Sequence, residues 1–322
     1  MALRTALCDR LGIEAPIICA PFGPWRQVEL AAAVSNAGGL GSLGTAVTPL
    51  PELREQWRRI RELTDRPFAI NHTMRPFDEE AFAATLDEHP AVISFHLGVV
   101  PDLMHRAHEV GILWVQQVFN LDQAERALAG GTDVLIAQGG EAGGNGGEIS
   151  TMAFVPQVVD MAGDTPVVAA GGIADGRGLA AALALGAAGV NLGTRFIASE
   201  EFGEDDFKRA VVEGSSADAV KVAFSDHVMP PLSPGGDPAR PRALRTPFID
   251  RWNDDPQGAA GARENLTAEL RSAIAAGTIH ELIPFAGQST GLIDEVLPAA
   301  EIVRRLVAEA ETAVARAAAA TS

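Results

Sequence analysis

Short apolar runs recur along the first two-thirds of the chain, and each breaks on glycine, proline or a polar residue. Eight of them have the small and β-branched side chains of buried strands: residues 16–20 (PIICA), 40–43 (LGSL), 67–70 (PFAI), 91–95 (AVISF), 112–116 (ILWVQ), 133–137 (DVLIA), 166–169 (PVVA) and 189–192 (GVNL). Between them, apolar positions at helical spacing predict helices over 28–35, 51–63, 78–86, 101–110, 121–129, 154–161 and 178–185. The first ends on Asn36-Ala37-Gly38-Gly39, the second starts with proline in its first turn, and Asp175 is placed to cap the last. Every strand but the last is thus followed by a helix.

Strand-then-helix alternation predicts a parallel sheet. Eight such units closing on themselves predict an α/β fold of the (β/α)8 TIM-barrel type, with its ligand site at the C-terminal ends of the strands. A doubly wound open sheet is the structural rival. Residues 31–45, 124–139 and 179–194 echo one another, each an alanine-rich helix, a glycine stop, a short strand and a glycine, as repeated βα units would. Beyond Arg195 the alternation stops. Helices are expected at 207–212, 266–276 and 299–320. Residues 226–241 are too proline-rich for a regular element and read as a long ordered loop, either a cover for the barrel mouth or a plain surface excursion. The expected division is a barrel core over 1–200 and a C-terminal extension over 201–322 that packs on it as one unit.

Composition narrows the partners. With 322 residues, 47% hydrophobic and 21% charged, the chain can bury a large core. A formal charge of −17 opposes binding to a phosphate backbone, so nucleic acid is not an expected partner. A small phosphorylated cofactor stays open, because glycine loops bind phosphate through main-chain N–H groups. Cys8 and Cys19 form neither a disulfide framework nor a metal-ligand spacing. The N-terminus does not read as a signal peptide and no stretch reads as a membrane span, so a cytoplasmic protein acting on a small molecule is expected.

The candidate chemistry lies at the strand ends. The sequence AAGGIADGRG follows the seventh strand and NLGTRF spans the eighth and its end. In barrels these two loops commonly build a phosphate site, here from the N–H groups of Gly172, Gly193 and Thr194 and the Thr194 hydroxyl. A ligand-free tight turn at Gly171-Gly172 is the plain alternative. Arg195 is placed either to reach a phosphate or to pair with Glu200 or Glu201. The stretch DVLIAQGGEAGGN (133–145) is a strand that empties into a glycine-dense loop carrying Gln138, Glu141 and Asn145. Ala20-Pro21-Phe22, Asn71 and Gln138 share the same rim, offering a flat wall and amide donors and acceptors. A planar heterocycle with ring nitrogens and carbonyls suits them, which makes a phosphorylated flavin the economical ligand.

These motifs together resemble the FMN-dependent nitronate monooxygenase (2-nitropropane dioxygenase) family, which also contains flavin-dependent enoyl reductases. The resemblance runs over roughly residues 10–200 and is carried by IICAPF, AAAVSNAGGLGSLG, PFAIN, AQGGEAGG, AAGGIADGRG and NLGTRF, with an echo at AGQSTGLI (286–293). It implies non-covalent FMN held by Ala20, Pro21, Phe22, Asn71, Gln138, Gly143, Gly171, Gly172, Asn191, Leu192, Gly193 and Thr194. One departure matters: the family usually carries a catalytic histidine directly after EAGG, and this chain has Asn145. An amide orients a substrate but cannot serve as a general base. Either the substrate is already an anion, or another histidine (His72, His96 or His227) has taken the role, or the reaction has changed. Phe22 stands where the family often has methionine. The resemblance implies an oxidoreductase that oxidises an alkyl nitronate with oxygen. The alternative is a reductase or dehydrogenase of a C=C bond with NAD(P)H as reductant, and a flavin-binding relative without catalysis is the third reading. A homodimer is an assembly this family resemblance allows.

Overall fold

The structure, a computed structural model, describes residues 3–23, 25–74, 76–228 and 239–320. Eight parallel strands form the barrel: β1 (Ile17–Cys19), β2 (Gly41–Gly44), β3 (Phe68–Thr73), β4 (Val92–His96), β5 (Leu113–Val118), β6 (Val134–Gln138), β8 (Val167–Ala170) and β9 (Gly189–Leu192), with β7 (Gly144–Gly146) lying outside it. Neighbours pair in the order β1-β9-β8-β6-β5-β4-β3-β2. The ring closes between its two ends, where Cys19 N donates to Leu40 O and Leu40 N to Ile17 O, both at 2.9 Å. That closure removes the open-sheet rival.

Strand alternation decides what fills the barrel. Ile18, Leu40, Ala69, Val92, Val115, Val134, Ile136, Val168 and Ala170 form an inner apolar cluster, closed below by Leu7, Cys8 and Leu11 of the N-terminal helix Ala6–Leu11. On β3 to β6 the same inward face turns polar two residues further along: Ala69 gives way to Asn71, Val92 to Ser94, Val115 to Gln117 and Ile136 to Gln138, and Asn191 joins them from β9. The opposite parity faces the helices, where Ile93, Phe95 and Trp114 pack with Phe82 and Met104.

Several expectations are corrected here. The last barrel strand is followed after all by a helix, Thr194–Ile197. β5 runs to Val118, two residues beyond the expected end. Within 226–241, residues 226–228 belong to the helix Ser225–Val228 and Arg240 and Pro241 begin a strand; 229–238 lie outside the described residues. That strand, β11 (Arg240–Leu244), is the middle of a small antiparallel ribbon with β10 (Ala219–Lys221) and β7, in the register Pro241↔Asn145. Pro241 has no N–H to give the ribbon, but its carbonyl accepts from Val222 N at 2.9 Å. The C-terminal helix Ala299–Ala319 packs along Gly176–Ala184, where Gly176 lies so close to Glu309 that a Cβ would stand 2.3 Å from that side chain.

Candidate active site

A cavity of about 670 Å³ opens at the C-terminal ends of the strands. Its floor is the polar end of the barrel interior, its sides are the loops after the strands, and its roof is built from Val228, Thr267, Leu270, Arg271, Ile274, Ile279 and Phe285 of the C-terminal extension. Most of the polar side chains at the floor are fixed. Asn71 Nδ2 donates to Ser94 Oγ at 2.9 Å and to Ser94 O at 3.2 Å. Gln117 Nε2 donates to Gln138 Oε1 at 3.0 Å, so the amide of Gln138 turns its own NH2 toward the carbonyl of Gly143, 3.4 Å away. Of the five buried side-chain atoms without a partner among the described residues, three belong to residues lining this cavity: Asn145 Oδ1, Asn191 Oδ1 and His96 Nδ1. An unpartnered buried polar atom costs about 1–3 kcal/mol, so their convergence on one cavity marks a place built for a polar ligand.

The loops after β8 and β9 form the second end of the cavity. Gly171 and Gly172 hold φ of 106° and 73°, a left-handed backbone that side chains rarely adopt. At Gly193 a Cβ would meet only Ala20 Cβ, at 3.6 Å, so the space beside its main chain is open. The C-terminal strap around Ala286–Ser289 reaches over from the far side of the sequence. Gly287 N donates to Thr194 Oγ1 at 2.9 Å, and Gln288 N to Glu141 O at 2.9 Å. Glu141 in turn accepts from Thr151 N and Thr151 Oγ1 at 2.8 Å, pinning the glycine loop to the helix Thr151–Ala162. Gly143 lies against the strap with no room for a Cβ, which would stand 2.6 Å from Ala286 C.

Of the residues expected at the site, the structure brings Ala20, Pro21, Phe22, Asn71, Gln138, Gly143, Asn145, Gly171, Gly172, Asn191, Leu192, Gly193, Thr194 and His96 to this one cavity. Phe22 leans edge-on against Phe202 with centroids 5.2 Å apart. His72 and His227 are not in its wall. His72 has the outward parity of β3; its ring nitrogens meet Thr45 Oγ1 at 3.1 Å and Thr85 Oγ1 at 2.9 Å, and its ring packs on Phe82. His227 is exposed on its helix, while Val228 beside it turns inward. Arg195 also turns away: its Nη2 donates to the carbonyls of Ala198 at 2.9 Å and Glu295 at 2.6 Å, rather than to Glu200 or Glu201. Asp175 caps its helix as expected, accepting from Gly178 N at 3.1 Å.

Burial pushes His72 down to about 3 and His96 down to about 4, the latter against a smaller upward pull from the His72 main-chain carbonyl. His96 is therefore a neutral imidazole at neutral pH. Among the described residues, no carboxylate, lysine or cysteine lines the cavity, and the chain has no tyrosine. Nor do the described residues hold a cluster suited to a metal ion. The described lining offers polar groups that could hold and orient a ligand, but little capacity to move a proton.

The sequence reading missed Gln117, Ser94, Trp25, Met74, Arg271, Phe285 and Ser289, all in the cavity wall or just below it. Gln117 was within reach: Leu113, Val115 and Gln117 alternate, and a strand carried one residue further would have put this amide beside Gln138.

Known proteins resemble this chain in sequence and in fold. The sequence model of the nitronate monooxygenase family matches residues 4–84 and 76–309. A nitronate monooxygenase of Paraburkholderia phytofirmans is 32% identical, with 95% of each chain covered. A Mycobacterium tuberculosis (3aS,4S,5R,7aS)-5-hydroxy-7a-methyl-1-oxo-octahydro-1H-indene-4-carboxyl-CoA dehydrogenase is 39% identical over 62% of this chain, a match that spans only 58% of the relative's own length. The solved structure of FabK from Thermotoga maritima superposes with a TM-score of 0.87 at 34% identity, covering 98% of this chain and 99% of that one.

Proposed function

The chain belongs to the nitronate monooxygenase family of oxidoreductases, and we propose that it holds FMN in the mouth cavity and oxidises a preformed alkyl nitronate with molecular oxygen. Bound FMN supplies the redox chemistry that links substrate oxidation to oxygen reduction. The residues present suit that cofactor. Gly172, Gly193 and Thr194 offer main-chain N–H groups for its phosphate, with Ser289 beside them. Asn71, Gln138 and the unpartnered Asn191 Oδ1 suit the edge of a heterocycle, and Phe22 a flat ring wall.

One observation carries the choice of reaction: no described residue lining the cavity titrates near neutrality, because Asn145 is an amide and His96 is held neutral. A nitronate is already deprotonated at its reacting carbon. Asn145 has only to orient it, through its NH2 on a nitronate oxygen, beneath the apolar roof residues Val228, Leu270, Ile274, Ile279 and Phe285.

A second reading is favoured by the 39%-identical carboxyl-CoA dehydrogenase: reduction of a C=C bond beside a thioester with NAD(P)H as the reductant, or the reverse dehydrogenation with NAD(P)+ as the oxidant. It demands a proton donor or base, for which neutral His96 is the sole imidazole among the described lining residues. Anaerobic titration of the FMN-loaded protein separates the two. Bleaching of the flavin by ethyl nitronate, with NADH and NADPH inert, supports the first reading; fast bleaching by a nicotinamide nucleotide with nitronate inert supports the second and sinks the first.

A further inference from the structure

We propose that Arg271 docks an anionic group carried at the far end of the substrate, away from the reacting atoms. The inference rests on the oxidoreductase function proposed above and names the class of molecule that function serves.

Arg271 is the one formally charged side chain among the described residues that line the cavity. It extends from the roof helix Arg263–Ala276, on the same face as Thr267, Leu270 and Ile274, all of which also line the cavity. Its helical neighbours at three and four residues' distance are Thr267, Ala268, Ile274 and Ala275, so no carboxylate of its own helix is placed to pair with it. No hydrogen bond or ion pair joins its guanidinium to another described residue, whereas most of the chain's other arginines are paired on the surface with Asp or Glu. In a chain of formal charge −17, a guanidinium without a partner among the described residues, at the rim of a cavity whose described lining holds no carboxylate, is a local inversion of sign.

Its position in the roof separates it from the reaction. The polar floor of Asn71, Gln138 and Asn191 is at the barrel end, and the cofactor phosphate has its own main-chain donors at Gly172 and Gly193. Arg271 is exposed, so it meets a group that stays near solvent while the rest of the molecule enters. The planar fork of arginine fits a carboxylate or a phosphate. Two sources carry such a group: the carboxylate of a small nitroalkanoate, or the phosphates of a thioester carrier such as coenzyme A.

Calorimetric titration of the FMN-loaded protein with matched unreactive probes tests this. One pair is 4-nitrobutanoate and its methyl ester, both in the neutral nitro form; the other is butyryl-CoA and butyryl-pantetheine. The wild type is expected to bind the charged member of one pair about fivefold or more tightly, and the pair that discriminates identifies the source. Arg271→Gln is expected to abolish that preference and Arg271→Lys to keep part of it, each with unchanged FMN content. Equal binding within both pairs, or a preference that survives Arg271→Gln, overturns the proposal. So does loss of FMN from Arg271→Gln with riboflavin binding unaltered, which would assign the guanidinium to the cofactor phosphate. Charge preference in a protein that turns over neither nitronate nor thioester would instead uphold the dock and sink the proposed function.

Discussion

Gly287 donates its main-chain N–H to Thr194 Oγ1 at 2.9 Å, tying a strap from the C-terminal extension to the first residue of the short helix that follows the last barrel strand. Both groups are buried, so the bond joins the β8–β9 loop end of the cavity to the segment that closes over it. Thr194→Val keeps the shape and orphans the Gly287 N–H, at a cost of about 1–3 kcal/mol. Urea denaturation is expected to show that loss, together with weaker FMN binding, and Thr194→Ser is expected to restore most of both. A Thr194→Val protein as stable as the wild type would show that the strap is held by packing alone.

The buried imidazoles give a pH signature. His72 and His96 titrate at about 3 and about 4 in the folded chain against an ordinary value of 6.5. The unfolded chain therefore binds protons below 6.5 that the native chain refuses. Stability from these two groups is fully present above 6.5 and is lost as the pH falls toward 4, at a slope approaching about 2.7 kcal/mol per pH unit for two protons. The difference between wild-type and His96→Gln stability curves measured between pH 6.5 and 4.5 is expected to isolate one proton of that slope. Parallel curves would mean that His96 is protonated in the native state.

Gly193→Asp tests the phosphate end. The position has ordinary φ of −104° and meets only Ala20 Cβ near a new Cβ, so the substitution is expected to leave the fold intact. Its carboxylate would face the cofactor phosphate, and FMN affinity is expected to fall at least about tenfold, while Gly193→Ala stays within about threefold of wild type. Full flavin content in Gly193→Asp would move the phosphate elsewhere.

The barrel was legible because eight apolar runs alternate with helical spacing, and short parallel strands leave that pattern on the chain. The polar layer was half legible. Asn71 and Gln138 stood out at strand ends, but Gln117 was lost by ending β5 at residue 116, and parity was not applied to the histidines. Counting inward from Ala69 and Asn71 puts His72 on the outer face, and counting from Val92 and Ser94 puts His96 on the inner one. The ribbon that holds Asn145 was not legible: Gly144–Gly146 has no strand pattern, and its partner begins at Arg240 beside a proline. Arg195 misled by adjacency, since its position next to the glycine loop says nothing about carbonyls at Ala198 and Glu295. The roof was missed because its residues are ordinary helix positions until Arg263–Ala276 is folded over the mouth.

The central claim is that this cavity orients an anion and does not make one. Oxygen consumption by the FMN-loaded protein, measured at neutral pH with freshly dissolved nitroethane and with pre-equilibrated ethyl nitronate, tests it in the wild type and in Asn145→His. The expected result is turnover of the nitronate alone by the wild type, and a gain on neutral nitroethane in Asn145→His that exceeds any change on the nitronate. Equal wild-type rates on the two forms would contradict it, because they would require a base that no described residue of the cavity provides.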